Sequence, residues 1–440
     1  MKHIQVFFQK TISDFKEENK KYYVNFSLIL CLISLPLNNF INSFFIVLFF
    51  LISARNFKLT NRINYPHVLL IILYFLFLAS WFWSVDKNST QIALLKEIPL
   101  LLIPFCFLYS EIFRHLKKQL IIKYYSISIF FYAFYFLLKA VLRFFTENNT
   151  AVFFGHELVT KELNAIHFSA FVSVALFYFI TKENKTKAAN FQILFLSLFL
   201  LLLNSKIILL GDILLVGIYF FYYSKLAHKM RLRNMVFFGI LLFSFLFSHN
   251  IKEKIEMEFQ LNSENNIGHT VIPKEAVGER IISMKEAWGN DKFKQTDFFS
   301  GASFRVYQLR VFLEIMNEEN LFFQGLGLNA SYKKIEEKGI KYNVFRGNNT
   351  VEGYQKKNFH NQYIQVFAEL GCIGFLLLIL ILFINVRNAL VSKDFLHIAF
   401  AFIMISLFLT ESFLWRQRGV VFFTLFYCLF NLVSFKNNKP

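Results

Sequence analysis

Charged residues are scarce in this chain. Asp, Glu, Lys and Arg make up 17% of its 440 residues, below the roughly 25% that is usual for soluble domains. Hydrophobic residues fill the difference: they reach 56%, and phenylalanine alone occurs 61 times. This balance excludes a disordered chain and argues against an ordinary cytosolic enzyme of two or three domains, which leaves a polytopic membrane protein.

Cysteine is scarce as well and follows no pattern. The four cysteines each fall inside an apolar stretch and form no CxxC pair; they are Cys31, Cys106, Cys372 and Cys428. This spacing indicates neither a zinc site nor a disulfide framework, and it fits small side chains in an apolar core.

Acidic residues are the minority among the charges. Asp and Glu total 29 against 47 Lys and Arg, which gives a formal net charge of +18. The cations lie in short clusters between apolar runs, as at Lys117, Lys118 and Lys123. Such clusters are typical of the cytoplasmic loops of membrane proteins rather than of a nucleic-acid-binding surface. Residues 1–23 are polar and lack an early apolar segment, so no removable signal peptide is expected.

Long apolar runs predict twelve membrane spans, because a bilayer core needs about 20 apolar residues per helix. Their approximate limits are 24–38, 40–54, 65–83, 91–108, 124–141, 165–181, 191–204, 206–223, 235–249, 363–385, 395–412 and 419–434. With the N-terminus in the cytoplasm, the basic clusters fall in the cytoplasmic loops, and both termini are then expected there.

The polar stretch 250–362 interrupts this rhythm and is placed outside by the same topology. Its apolar spacing predicts three helices, Lys274–Trp288, Ser303–Asn317 and Ala330–Lys338. The sequence thus predicts an all-α fold, a polytopic transmembrane helical bundle with a large helical periplasmic loop. The expected parts are an N-terminal bundle of about nine spans over 1–249, the loop 250–362, and about three C-terminal spans over 363–440.

Lys206 is one of few cations expected at the outer ends of the spans. It follows Asn204 and Ser205 in a very short turn, where either residue can cap the next helix. The free N–H groups of that helix and the lysine beside them predict an anion site. The alternative is an interfacial lysine that reaches the lipid headgroups.

Several outer arginines accompany it: Arg305 and Arg310 in a loop helix, and Arg416 and Arg418 in a later turn, shortly after Glu411. One guanidinium group can bind two phosphate oxygens at once, so these residues together predict a binding site that clamps a diphosphate. Taken singly, each arginine is better explained as a solvated or ion-paired surface group.

His360 is the most suggestive single residue. It ends the polar loop immediately before an apolar span, so its side chain is expected at the outer membrane surface near the cations. A neutral imidazole there can take a proton from an attacking hydroxyl. The alternative is a structural histidine at the interface. His167, near the outer end of another span, is a second candidate.

Motifs for metal and nucleotide chemistry are missing from the sequence. It contains no DxD pair or carboxylate cluster for a divalent metal, no GxxxxGK[ST] loop and no GxSxG elbow. A reaction on the outer face without metal or nucleotide needs a substrate that is already activated.

The run from His360 to Gly374 resembles the H-N-x-Y-x-Q-x-x-x-E-x-G-x-x-G signature of the O-antigen ligase/O-antigen polymerase superfamily. Arg305, the helix after it and Gly325-Leu326-Gly327 resemble the family's R…G-x-G element in its large periplasmic loop. Glu411-Ser412 with Arg418-Gly419 resembles its C-terminal end. Ser205-Lys206 stands where the family usually shows Ser-Arg, which keeps the charge but loses the bidentate fork.

The resemblance implies a metal-independent glycosyltransferase without a cofactor in the bacterial inner membrane. It moves a glycan from an undecaprenyl diphosphate carrier onto an acceptor hydroxyl at the periplasmic face. The acceptor is lipid A–core in ligases and the end sugar of another carrier-linked repeat in polymerases. Membrane lipids are further partners, and nucleic acid is not.

The resulting hypothesis gives each candidate residue a role. His360 is the general base, and the diphosphate is held by Arg305, Lys206 and Arg418. The supporting residues are Asn361, Tyr363, Glu411 and Arg416. The shared signature favours a ligase, with a repeat-unit polymerase as the alternative.

Two hypotheses from other classes remain. A transporter or flippase would place ionisable groups at the bilayer midplane, often in related halves. Most spans lack internal charge, although Asp212 is an exception, and the one-sided loop breaks any pseudo-symmetry. A purely structural membrane scaffold is the third hypothesis.

Overall fold

The computed structural model describes residues 23–54, 64–109, 116–160, 163–224, 280–319, 321–348 and 352–432, together with residues 236 and 239. These residues are mostly helical, as predicted. The apolar helices are α1 Tyr23–Ile33, α2 Asn39–Ala54, α3 Tyr65–Ser80, α4 Lys87–Glu97, α5 Pro99–Tyr109, α6 Lys118–Glu147, α7 Ala165–Thr181, α8 Lys187–Leu203, α9 Lys206–Ile218, α13 Gln362–Ser392, α14 Phe395–Phe408 and α15 Gln417–Phe430. The polar stretch contributes α10 Met284–Gly289, α11 Gly301–Glu319 and α12 Ser331–Lys341.

Eleven of the twelve predicted spans coincide with these apolar helices. Among the described residues, four segments are long and apolar enough to cross a membrane, and seven further apolar helices are shorter. The four are Lys87–Leu108, Lys118–Glu147, Lys206–Tyr223 and Gln362–Ser392. The predicted span 235–249 lies outside the described residues except for positions 236 and 239. The count of twelve and the orientation of the bundle stay predictions.

The polar stretch packs around a second buried core of its own. Phe304, Val311 and Ile315 line one face of α11, as the sequence spacing predicts. The predicted helix 303–317 is confirmed and extends to Gly301–Glu319, and 330–338 corresponds to α12.

The predicted helix Lys274–Trp288 is wrong at residues 281–283, and its first residues, 274–279, lie outside the described residues. Within the described residues, Ile281–Ile282 form a short strand that pairs with Phe298–Phe299. The helix begins only after Ser283, because that side chain and Glu286 form a capping box.

A strap of residues 321–330 ties the polar stretch to the apolar bundle. Its backbone bonds α13 on one side, with Leu326 N donating to Ala368 O and Gly327 N to Glu369 O, both at 2.9 Å. On the other side Val85 N donates to Leu326 O at 3.0 Å. These bonds fix the polar stretch against the start of α13, where His360 lies.

Gly371 makes this contact possible. It interrupts α13 with φ 66° and ψ −164°, so the helix consists of two parts joined at a kink. A Cβ at Gly371 would lie 2.3 Å from the backbone of Phe323, and one at Gly325 would lie 2.4 Å from the backbone of Glu369. Two backbones therefore pass each other at a distance that only glycine allows.

Replacing Gly371 by alanine is expected to destabilise the fold by about 2 kcal/mol or more. The left-handed φ alone costs about 1–2 kcal/mol for a residue with a Cβ, and the overlap with the strap adds to it. Thermal unfolding of the detergent-purified protein measures the loss. Gly217→Ala is the matched control, since its Cβ meets nothing within 4 Å; equal melting temperatures for the two variants would contradict the assigned contact.

Candidate functional site

His360 lies in the last turn of the polar stretch, with the start of α13 directly after it. Asn361 is the N-cap of α13, and its side chain accepts hydrogen bonds from Tyr363 N and Ile364 N. The Asn361 amide also donates to Leu409 O at 3.1 Å. His360 itself has φ 47°, a left-handed conformation that is rare for a residue with a Cβ, and its N–H donates to Asn358 Oδ1 at 3.0 Å. Such backbone strain is concentrated at functional sites.

The imidazole of His360 faces the carboxylate of Glu411. Its Nδ1 lies 3.4 Å from Glu411 Oε2, and the side chains are 29% and 6% exposed, respectively. Because a carboxylate accepts and cannot donate, the contact places the imidazole proton on Nδ1 and leaves Nε2 as an acceptor. The pair has the arrangement of a general base and the group that orients it.

Glu411 follows the end of α14 and is almost fully buried. Burial by itself would raise the pKa of this carboxyl. The hydrogen bond and charge of His360, with His167 and Arg305 nearby, outweigh burial and lower the pKa below its ordinary value. Glu411 is therefore ionised near neutral pH, as its contact with Nδ1–H requires.

The other signature residues hold the site together and are buried or half-buried. Tyr363 donates from its hydroxyl to Ile405 O at 3.1 Å. Gln365 donates to Ser331 Oγ at 3.1 Å and to the Glu369 carboxylate. Its amide oxygen lies 3.4 Å from Phe359 N, and Ser412 donates to the same oxygen at 3.4 Å. Most of the signature therefore joins the strap, α13 and the turn after α14, and its chemically reactive member is His360.

Arg305 reaches the same turn from the first part of α11. Its guanidinium donates to Gly301 O at 2.8 Å and to Thr410 O at 3.0 Å, next to Glu411. The structure therefore brings Arg305, His360 and Glu411 together. Arg310 instead packs in the second core, where it bonds Glu314 at 2.9 Å and lies over the Tyr342 ring.

Arg416 and Arg418 lie together at the start of α15. Arg418 is buried and donates from Nε and Nη2 to Leu37 O at 3.0 and 2.7 Å. Both arginines line a cavity of about 390 Å³. The remaining lining residues are Asn39, Lys96, Asn164, His167, Trp415 and Gln417. Arg305, Lys206 and His360 do not line it, so the predicted clamp of Arg305, Lys206 and Arg418 is divided between two places.

Lys206 is the first residue of α9, as predicted, but the expected side-chain cap is not formed. Ser205 is the N-cap residue and makes no side-chain cap hydrogen bond, and Asn204 ends α8 in a left-handed conformation. The Tyr219 and Phe395 rings lie 5.0 Å apart, and Gly211 lies against Phe402. Helices α9 and α14 thus run antiparallel, which brings Lys206 to the end of the bundle that carries Glu411.

Sequence reasoning missed three neighbours of the site. His156 interacts electrostatically with Glu411 and Arg416, and burial, with Arg416 opposing Glu411, lowers its pKa. Lys96 lies 4.8 Å from the centroid of the Trp415 ring, and Trp415 donates to Asn329 Oδ1 at 2.6 Å. The position of Lys96 inside the predicted span 91–108, where a charge is unusual, is the one sequence signal that pointed to this group.

Asp212 is buried within α9 and is hydrogen-bonded by Ser173 of α7. The carboxylate that suggested transport therefore joins two helices of the bundle. Among the described residues, no group of three or more His, Cys, Asp or Glu side chains is arranged to hold a metal ion.

Residues 191–379 match the family model described as O-antigen ligase. The match contains Lys206, Arg305 and the His360–Gly374 signature, and it confirms the resemblance to the O-antigen ligase superfamily. The match supports the interpretation that this is a membrane enzyme of the O-antigen ligase/polymerase type. Members of this glycosyltransferase-like class act on glycan and lipid substrates. No curated protein matches the chain.

Proposed function

We propose that this protein transfers a glycan from an undecaprenyl diphosphate carrier to an acceptor hydroxyl on the periplasmic face of the inner membrane, without a metal ion. The proposal rests on the contact between His360 Nδ1 and the ionised Glu411, because this contact leaves Nε2 free to act as a base at the end of the apolar helix bundle. Arg305, held beside Glu411 through Thr410 O, supplies the positive charge.

The chemistry needs two contributions from the chain. His360 Nε2 removes the proton of the acceptor hydroxyl while its oxygen attacks the anomeric carbon, and one such base typically contributes about 10²–10⁴-fold. The bond from the anomeric carbon to the carrier oxygen breaks, and the diphosphate leaves with the electron pair. Positively charged groups aimed at the leaving oxygens lower the barrier. Attack from the face opposite the diphosphate inverts the anomeric centre.

Arg305 and Lys206 are proposed to hold the donor diphosphate. Arg305 lies at the turn after α14 that carries Glu411. Lys206 lies at the same end of the bundle, at a helix N-terminus, where anions are favoured. Arg418 lines the neighbouring cavity with Arg416 and is assigned there. Asn361 and Tyr363 hold the start of α13 against the end of α14 and thereby position His360.

An assay for a new glycosidic bond tests the proposal. The purified protein in lipid nanodiscs is mixed with carrier-linked glycan and a crude acceptor lipid fraction in the presence of EDTA. The expected result is a linked product with release of undecaprenyl diphosphate. Movement of carrier lipid across vesicles without bond formation would instead establish the transporter or flippase alternative.

Replacing Arg305 by alanine is expected to raise the KM for the carrier substrate by about 10- to 100-fold, because a charge-assisted hydrogen bond to phosphate is worth about 1.5–3 kcal/mol. The KM for the carrier-linked glycan in the nanodisc assay measures the change. Arg305→Lys keeps the charge and is expected to lose less. Parent-like KM values for both variants would remove Arg305 from the donor site.

The ligase assignment is proposed over a polymerase on the strength of the family match. A surface-polysaccharide gel of a deletion strain distinguishes them. Loss of all long chains indicates a ligase, and one attached repeat indicates a polymerase.

A further inference from the structure

The charged side chains that line the cavity at the start of α15 are all positive. Its lining contains Lys96, Arg416 and Arg418, together with amide, imidazole and indole groups, and no Asp or Glu. The side chain of Arg416 is exposed and makes no hydrogen bond or ion pair with the other described residues. A concave volume of about 390 Å³ with convergent cations is of the size and character of a small-ligand site for an anion.

This cavity is separate from the cations beside His360. Residues 411–414 join the two groups along the chain and are buried. They include the ionised Glu411, whose negative charge disfavours one anion lying across both groups. Phe413 stacks on His167 with 4.3 Å between ring centroids, and His167 forms part of the cavity wall.

Four elements far apart in the sequence build the cavity: the starts of α2, α7 and α15, and Lys96 of α4. Gln417 Nε2 donates to Ser43 Oγ at 2.6 Å, and Arg418 donates to Leu37 O, so α15 is fastened to the start of α2. Lys96 comes from α4, and its ammonium is held over the Trp415 ring. The ammonium group of Lys96 thus lies in the cavity wall, over an aromatic ring.

The surface beside the cavity is apolar and faces outward. Large side chains next to Asn39 on α2 and next to Lys96 on α4 are strongly exposed: Phe40, Phe44, Ile92 and Leu95. Both helices belong to apolar segments of the bundle, so we expect this surface to face lipid. A ligand that places an anionic head in the cavity can leave an attached hydrocarbon chain against this surface.

We infer that the cavity is a second anion site, separate from Arg305 and Lys206, and that it binds the phosphate of the lipid-linked acceptor. The inference rests on the proposed function, since a transferase with a lipid-borne donor and a lipid-borne acceptor must hold two lipid headgroups at once. The shared chemistry is a phosphate on a membrane lipid. Its two sources are a second carrier diphosphate and the phosphate of a lipid A-type glycolipid.

Counting bound lipids tests the inference. The protein is titrated with undecaprenyl diphosphate alone, with bisphosphorylated lipid A alone, and with both, and the stoichiometry is read by native mass spectrometry. The expected result is two anionic lipids per chain. Two carrier molecules identify the acceptor as carrier-linked, and one of each identifies it as a glycolipid. A maximum of one bound lipid in all three titrations overturns the inference.

Matched variants assign each lipid to a site. Lys96→Gln and Arg416→Gln are expected to weaken the binding of one lipid about tenfold. Arg305→Gln is expected to weaken the binding of the other lipid by a similar factor. Lys87→Gln is the control, because Lys87 lies on the same helix at 5.0 Å from the Trp81 ring and does not line the cavity. Weakening of the same lipid by Lys96→Gln and Arg305→Gln, or equal effects of Lys96→Gln and Lys87→Gln, overturns the inference.

The proposed function is tested separately by bond formation. His360→Gln is expected to keep both lipids bound and to form product about 10²–10⁴-fold more slowly. A parent protein that binds two lipids but forms no glycosidic bond would contradict the proposed function and leave the second site standing.

Discussion

Replacing His360 by glutamine is expected to lower glycan transfer by about 10²–10⁴-fold, because the acceptor hydroxyl loses its base. The side chain is partly exposed and is not part of a buried core, so the fold is expected to survive. Initial rates of product formation in nanodiscs measure the effect. Thermal unfolding of the same samples separates lost chemistry from lost structure.

His156→Gln is the matched control for this variant. His156 also interacts electrostatically with Glu411, but Glu411 has its 3.4 Å contact with His360. The expected loss for His156→Gln is therefore less than about tenfold, below the usual contribution of a general base. A larger loss of the transfer rate at position 156 than at position 360 would show that His360 is not the base.

Replacing Glu411 by glutamine is expected to lower kcat on the order of 10²-fold with little change in the KM for either substrate. The neutral amide can donate to Nδ1, which moves the imidazole proton to Nε2 and removes the acceptor that the reaction needs. Glutamine has nearly the same shape, so packing of the turn after α14 is preserved. Steady-state kinetics with both substrates varied separates kcat from KM.

Glu147→Gln provides the comparison for Glu411→Gln. Glu147 is an exposed carboxylate that pairs with Arg143 at 2.8 Å, away from the described site. Its replacement is expected to leave kcat within about twofold, as for most surface substitutions. If Glu411→Gln changed KM and kept kcat, the carboxylate would act on substrate binding and not on the base.

Positions of single residues at helix ends could be predicted from the sequence. His360 is adjacent to an apolar run, so its place immediately before a helix followed from local pattern alone. The apolar helices and the amphipathic face of α11 followed in the same way. Local spacing does not give the number of crossings, since seven of the apolar helices have 10–17 residues.

Contacts between distant parts of the chain could not be predicted. Lys96 and Trp415 meet although more than 300 positions separate them, and no period in the sequence relates α4 to α15. The same holds for the Gly325–Gly371 crossing, where two glycines of the resembling motifs prove to allow two backbones to pass. The position of Arg418 is a further example. The packing of α2, α4 and α15 places Arg418 in the wall of a cavity that Arg305 does not line, although the sequence predicted one diphosphate clamp for both.

An electron cryomicroscopy structure of the His360→Gln variant with a carrier-linked glycan bound is the most direct test. Our account predicts that the anomeric carbon lies within about 5 Å of the side chain at position 360 and that the donor diphosphate contacts Arg305. It also predicts that this headgroup is on the side of the bundle that carries residues 280–361. A carrier headgroup at the opposite end of the bundle, or a side chain at position 360 turned away from the anomeric carbon, would contradict it.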